Sequence, residues 1–311
     1  MKNAMIVGVI VSLVIVAGLL IFLFGTGKEA PPDVATSATA PDKLVKQDLP
    51  AGLPPLYKST ALNVDANPIY KKIFDFYEQN RGALQISGKA AEKADTLAGL
   101  LIDAMDAGKC DRIYLDETIS LKPGAKPSFD EALDTIRFFI GAHAKEYFAI
   151  DENRRATDEL VSIFALGHRC FTTGQRFGTR YFGLITMKQT AEILAAQKAK
   201  LAGDINPQPW YDACKKLQDA WDEKKKILSS ETWPPNVADV INIAQNDQDT
   251  MFRVEATLWL GACKYGTSGK TSNECAIKEA LAKLKQDNNP TIAKAAEAAL
   301  DFTREEFRTM K

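Results

Sequence analysis

The strongest constraint on this chain is an uncharged apolar stretch at residues 4–24. About 20 apolar residues with a rise of roughly 1.5 Å each span the roughly 30 Å hydrocarbon core of a bilayer, and a helix satisfies its own backbone groups where water is absent. The stretch is longer than the core of a cleaved signal peptide, although the Gly-Thr-Gly at residues 25–27 is a passable cleavage site. We therefore predict a retained transmembrane helix, a signal anchor, at residues 4–24.

The flanks of this stretch set the expected orientation. Lys2 lies on one side and Lys28 on the other, so the basic residues are nearly balanced. A short tail, here residues 1–3, ahead of a first long apolar segment usually stays in the cytoplasm. We therefore expect a single-pass membrane protein of a bacterial-type cell envelope, with a cytoplasmic N-terminus, a lipid bilayer around residues 4–24, and the bulk of the chain in the periplasm.

Residues 25–60 have the composition of a spacer. Pro, Ala, Thr and Ser are abundant there, and six prolines interrupt any regular structure. Such a segment buries too little apolar area to offset its ordering entropy, and its prolines favour extended conformations. We predict a flexible linker at residues 25–60.

The remaining chain has apolar residues at helical spacing, which predicts an all-α ectodomain. We divide it into a helical domain at residues 61–205 and a helical repeat region at residues 206–311. Two long helices around the Thr-Thr-Gly at residues 172–174 should form an αα-hairpin, and Asp151 should cap the first of them. Residues 110–127 could be a short strand pair or an ordered loop, and we favour the loop.

The repeat region contains the one internal repeat of the sequence. Residues 252–261 and 292–301 align at a spacing of about 40 residues, with small residues at Ala256 and Ala296 where helices pack closely. Both segments resemble the first helix of a HEAT repeat, although the second has Ala293 in place of the pattern's Arg and Asp301 in place of its Gly. The resemblance covers about residues 235–310 and implies stacked helix pairs, the second copy being a half-repeat that caps the array.

No catalytic, cofactor-binding or metal-binding motif is present in the sequence. The commonest metallopeptidase, hydrolase and nucleotide-binding fingerprints do not occur, and two histidines, His143 and His168, are too few for a histidine-rich metal site. A net charge of −1 does not favour a nucleic-acid partner. We therefore predict no catalytic residues, no cofactor and no metal.

Two arginines are the candidates for an anion site. Arg176 and Arg180 are four residues apart on one predicted helix face, and two guanidinium groups could hold a phosphate or carboxylate. Arg154, Arg155 and Arg169 lie nearby on the same predicted hairpin. The alternative, which we expect, is that each arginine pairs with an acid within a turn or two or lies at a free surface. Those acids are Glu152, Asp158 and Glu159.

Two cysteines are expected to form a disulfide. Cys263 lies just after a predicted helix, Cys275 begins the next, and the Gly, Ser and Thr between them suit a turn. The ends of an antiparallel hairpin are close enough for a bridge, and an oxidising compartment would close it. The alternative is two buried thiols.

These observations favour a membrane-anchored helical scaffold that binds another envelope protein. Helical repeats bind partners by shape, without a catalytic constellation. The alternative is an envelope enzyme that acts on a cell-wall polymer through carboxylates in a cleft. Acids with a raised pKa would favour the enzyme, and a smooth repeat surface would favour the scaffold.

Overall fold

Consecutive packed helices form the part of the chain that the computed structural model describes, namely residues 64–84, 91–107, 109–110, 113, 123, 130–174, 176–228, 235–266 and 271–310. The predicted transmembrane helix, the predicted linker and most of residues 110–127 lie outside these ranges. The helices are α1 (Asn67–Leu84), α2 (Ala91–Asp106), α3 (Asp130–Ala149), α4 (Asn153–Thr173), α5 (Phe177–Ala196), α6 (Gln208–Ile227), α7 (Val237–Asn246), α8 (Thr250–Gly266), α9 (Thr271–Leu284), α10 (Pro290–Asp301) and α11 (Arg304–Met310).

The predicted all-α class is confirmed for these ranges. Their only β feature is a parallel bridge between Asp65 and Lys109. The Ala66 N–H donates to the Lys109 carbonyl over 2.8 Å, and the Lys109 N–H donates to the Val64 carbonyl over 2.9 Å. Within the described helices, none combines the length and the apolar character that crossing a bilayer requires.

The helices pack around two hydrophobic cores that meet at α4 and α5. The N-terminal core is built from one face each of α1 to α5, with Tyr70, Phe74, Leu97 and Ile140 completely or almost completely buried. The C-terminal core extends from α4 to α11 and is centred on α8. All described residues belong to one compact unit, in which α4 and α5 contribute side chains to both cores. The division at residues 205 and 206 stays a prediction.

The predicted αα-hairpin is confirmed as α4 and α5, which cross at two glycines. A Cβ atom added to Gly183 would lie 2.5 Å from the Gly167 carbonyl oxygen and 2.5 Å from the Phe171 amide nitrogen. No side chain fits at such distances from another helix's backbone. The two glycines therefore allow a close approach of α4 and α5, the two helices that contribute to both cores.

The turn before α4 differs from the expectation. Asp151 does not cap this helix, because α4 begins at Asn153 and its N-cap is Glu152, whose side chain makes no cap hydrogen bond. Asp151 instead has a φ of 62°, the left-handed conformation that Asp tolerates better than most residues. It thereby reverses the chain between α3 and α4.

The 40-residue repeat reappears in the hydrogen bonds of two turns. The Asp247 carboxylate accepts from the Asp249 N–H over 2.9 Å, and the Asp287 carboxylate accepts from the Asn289 N–H over 2.9 Å. The second residue of each turn then caps the helix that follows, because its side chain accepts from the N–H two residues on. Before α1, the Asp65 carboxylate likewise accepts from the Asn67 N–H over 3.0 Å.

The two repeat copies differ in burial. In the first copy, α8 packs against α5, α7 and α10, and Leu260 is completely buried. In the second copy, the equivalent Leu300 is 38% exposed, and the outward face of α10 carries Lys294 and Glu297. Helix α10 therefore exposes more of its surface than α8 does.

Candidate functional site

Charged and aromatic side chains from three helices meet on the N-terminal half of the described chain. We call this group the His143 cluster. It consists of Asp95 from α2, His143 and Tyr147 from α3, and Arg155 and Glu159 from α4.

The turn at Asp151 places four of these residues opposite one another. His143 lies eight residues before Asp151 and Glu159 eight residues after it, whereas Tyr147 and Arg155 lie four residues before and after. In an antiparallel helix pair, positions at equal distances from the turn face each other. His143 therefore meets Glu159, and the Arg155 guanidinium lies 4.3 Å from the centre of the Tyr147 ring.

A buried acid and base form the inner part of the cluster. The Glu159 side chain is 1% exposed and that of His143 is 8% exposed. The two Glu159 oxygens lie 3.0 and 3.2 Å from Nδ1 of His143. Burial raises the pKa of the Glu159 carboxyl, and the neighbouring His143 and Arg155 oppose that rise.

Asp95 and Arg155 form the outer part, where each side chain is 47% exposed. The Asp95 carboxylate accepts from the Tyr147 hydroxyl over 2.9 Å and from the Arg155 guanidinium. It also lies 3.5 Å from Nε2 of His143, and Nε of Arg155 lies 3.8 Å from Glu159. The two carboxylates thus alternate with Arg155 and the imidazole around a closed ring of polar contacts.

The sequence analysis missed this cluster. No local motif connects Asp95, His143 and Glu159, since they come from three helices. The equal spacing of His143 and Glu159 about the turn at Asp151 was the available signal. Asp95 offered no comparable signal, because its position follows from how α2 packs on the other two helices.

The structure brings the two arginine candidates together at the start of α5, but not as expected. Arg176 and Arg180 are buried, and their acidic partners come from α8 and from the turn just before it. Arg176 lies 3.6 Å from Glu255, and Arg180 lies 3.8 Å from Asp249 while its Nε donates to the Gly174 carbonyl. These two arginines are therefore neither solvated nor paired with local acids, and an anion shared between them stays untested.

Arg169, another arginine of the hairpin, binds backbone rather than an anion. Its guanidinium donates to the carbonyls of Ala104 and Ala107 at the end of α2, and to the Tyr70 hydroxyl over 3.2 Å. These carbonyls lack intrahelical partners, so a buried cation there satisfies the end of the helix. Arg169 therefore ties α4 to α1 and α2.

The two cysteines of the predicted disulfide have different surroundings. Cys263 is completely buried in α8, whereas Cys275 is exposed on α9, and both are thiols in the structure. Burial raises the pKa of the Cys263 thiol to about 12. The disulfide stays a prediction, and non-reducing peptide mapping of protein from the native envelope decides it.

The second histidine lies outside the His143 cluster. His168 of α4 is 3% exposed, and among the described residues neither ring nitrogen has a hydrogen-bond partner. Burial, with a smaller effect of Arg169, lowers its pKa to about 4. His168 is therefore a neutral core residue.

Comparisons with known proteins add no family to these observations. No protein-family model, no curated protein and no solved structure matches the chain. The class of protein therefore rests on the fold itself: the described part is an all-α protein whose consecutive helices pack in a manner compatible with a helical repeat.

Proposed function

We propose that this protein is a membrane-anchored helical scaffold that binds another protein of the cell envelope through its C-terminal repeat. The observation that carries the proposal is the repetition of the Asp247–Asp249 turn at Asp287–Asn289, 40 residues on. Repeating the turn repeats the helix pair that it connects, and stacked helix pairs generate an extended surface for a partner. The HEAT-like pattern of α8 and α10 is part of the proposal. Ala256 and Ala296 are completely buried where this pattern requires small residues.

The binding surface in this proposal is the exposed side of α7 and α9, which pack against each other. Positions 40 residues apart are exposed in both helices, so the two copies present one surface. We call it the α7–α9 face, and it consists of Ala238, Asp239 and Asn242 on α7 and Lys278, Glu279 and Ala282 on α9.

The anchor and the linker complete the proposed scaffold. A helix at residues 4–24 would hold the protein in the membrane with its bulk in the periplasm. A linker at residues 25–60 would let the helical part reach partners away from the bilayer. If fully extended, about 35 residues at roughly 3 Å each would reach about 100 Å.

The experiment that tests the proposal replaces exposed alanines by arginine, on the proposed surface and at a control position. Full-length tagged protein is solubilised from the envelope in mild detergent, and the proteins that copurify are quantified. Ala238→Arg and Ala282→Arg place a large charged side chain on the α7–α9 face, whereas Ala220→Arg places it on the exposed side of α6. We expect the first two each to reduce recovery of the same partner at least 10-fold, and the control to leave it unchanged. Equal recovery from all three variants would rule out this face.

The second candidate function is the envelope enzyme acting on a cell-wall polymer. The observation in its favour is that Glu159, a buried acid with a raised pKa, contacts His143. Such a pair is able to exchange a proton with a bound substrate. Loss of cell-wall polymer turnover in Glu159→Gln, with the α7–α9 face variants unaffected, would favour this function over the scaffold.

A further inference from the structure

Asp95, His143 and Glu159 of the His143 cluster offer the geometry and the atom types of three ligands to a divalent metal ion. One ligand atom each from Asp95, His143 and Glu159 can be chosen so that all three lie within 4.8 Å of one another. Two carboxylates and one imidazole suit the divalent transition metals, because carboxylate oxygen alone favours Mg²⁺ and Ca²⁺ whereas an imidazole nitrogen favours Zn²⁺ and its neighbours. Three protein ligands would leave at least one coordination position for water.

Two of these ligands are fixed in place. Glu159 and His143 are buried on adjacent helices, and their contact over 3.0 Å holds both side chains inward. The third, Asp95, is half-exposed and oriented by the Tyr147 hydroxyl, which donates to it. Hydrogen bonds of this kind, from residues that do not touch the ion, orient metal ligands in proteins. Asp95 also gives the entry path, since it is the ligand that faces solvent.

The Arg155 guanidinium occupies the carboxylates that a metal ion would bind. Its guanidinium binds Asp95, lies 3.8 Å from Glu159 and stacks on Tyr147. Because the side chain is 47% exposed, it can turn outward into water without crossing the core. A divalent ion would then supply to the two carboxylates the positive charge that the Arg155 guanidinium now supplies.

We propose that Asp95, His143 and Glu159 bind one Zn²⁺-class ion, and that Arg155 competes with that ion for the two carboxylates. This role is independent of partner binding at the α7–α9 face. It also assigns a function to charged residues that would otherwise only join three helices.

The test is a titration of the full-length protein in detergent with Zn²⁺, in which isothermal calorimetry measures the affinity and the number of ions bound per chain. His143→Gln is compared with His168→Leu, a change at the only other histidine, which lies outside the cluster. We expect one Zn²⁺ per chain in the wild type and in His168→Leu, and at least 10-fold weaker binding in His143→Gln. Failure to bind Zn²⁺, or equal loss in both histidine variants, would overturn the proposal.

A second variant keeps the test decisive if His143→Gln fails to fold. Arg155→Gln removes the competing charge at a half-exposed position and keeps all three ligands. We expect it to bind Zn²⁺ at least 10-fold more tightly than the wild type. Unchanged or weaker binding would show that Arg155 does not compete with a metal, and the cluster would then be only an ion-pair network. Neither outcome depends on partner recovery in the α7–α9 face variants.

Discussion

The N-terminal helices α1 to α5 and the C-terminal helices α7 to α11 place their charges in different ways. In the C-terminal part, turns of the same short pattern recur, and each carboxylate bonds to an N–H two residues away. In the N-terminal part, the decisive contacts join distant positions, as when Asp95 meets Arg155 or Arg169 meets the end of α2. The C-terminal region therefore combines a local turn that recurs at a 40-residue spacing with long-range ion pairs such as Arg253–Asp287, whereas the N-terminal contacts do not recur along the chain.

This difference predicts how the two regions respond to substitution. A local turn tolerates loss of one bond, because the helices on either side keep their own contacts. A contact between distant helices has no local replacement, so its loss affects the whole core. The predictions below test this contrast, starting with the largest expected effect.

The largest effect is expected at the crossing of α4 and α5. Gly183→Ala introduces a methyl group 2.5 Å from backbone atoms of the neighbouring helix, so the helices must separate. We expect a loss of more than about 3 kcal/mol in the free energy of unfolding, at or above the upper end of typical overpacking costs. Urea unfolding followed by circular dichroism measures it.

Gly141→Ala is the matched control for this prediction. Gly141 is also helical, but the nearest atom to an added Cβ is Cδ1 of Ile193 at 3.7 Å, an ordinary contact. We expect a gain of about 0.5–1 kcal/mol, from the better helix propensity of Ala. Similar effects of the two substitutions would show that the close approach at Gly183 is not required.

The next effect concerns His168 and depends on pH. Its pKa is about 4 in the folded protein and 6.5 ordinarily, so between these values the unfolded chain binds a proton that the folded protein does not. Stability is therefore lost as the pH falls from 6.5 to 4, by about 3 kcal/mol at pH 4. Between pH 7 and pH 4, we expect the free energy of unfolding of His168→Leu to fall by about 3 kcal/mol less than that of the wild type. Parallel pH profiles in urea unfolding would contradict the assignment.

The smallest losses of stability are expected in the repeat turns. Asp247 pairs with Lys224 over 2.7 Å, and Asp287 pairs with the Arg253 guanidinium, so each carboxylate has one backbone N–H and one cation. We expect Asp247→Ala and Asp287→Ala each to cost about 1–2 kcal/mol. We expect the two costs to agree within about 0.5 kcal/mol, and urea unfolding measures both. If one turn cost several times more than the other, the two copies would not be equivalent.

The same contrast explains what could be predicted from the sequence. The all-α class, the αα-hairpin and the repeat spacing were predictable because helical periodicity and turn residues are local signals. The prediction that Asp151 caps α4 was wrong, because Asp151 takes a left-handed conformation in the turn before it. Asp favours both roles, so its identity alone does not distinguish them. The acids that pair with Arg176 and Arg180 could not be foreseen, since Asp249 and Glu255 reach them only through the packing of α8 on α5.

The most direct test of the scaffold is photo-crosslinking in native membranes. A thiol-reactive photo-crosslinker is attached at Ala282→Cys on the α7–α9 face or at Ala220→Cys on α6, each combined with Cys275→Ser to remove the exposed native cysteine. The account predicts one dominant protein adduct from position 282, reduced at least 10-fold by Ala238→Arg, and no such adduct from position 220. Absence of an adduct at position 282, or the same adduct from both positions, would contradict a binding surface on the repeat.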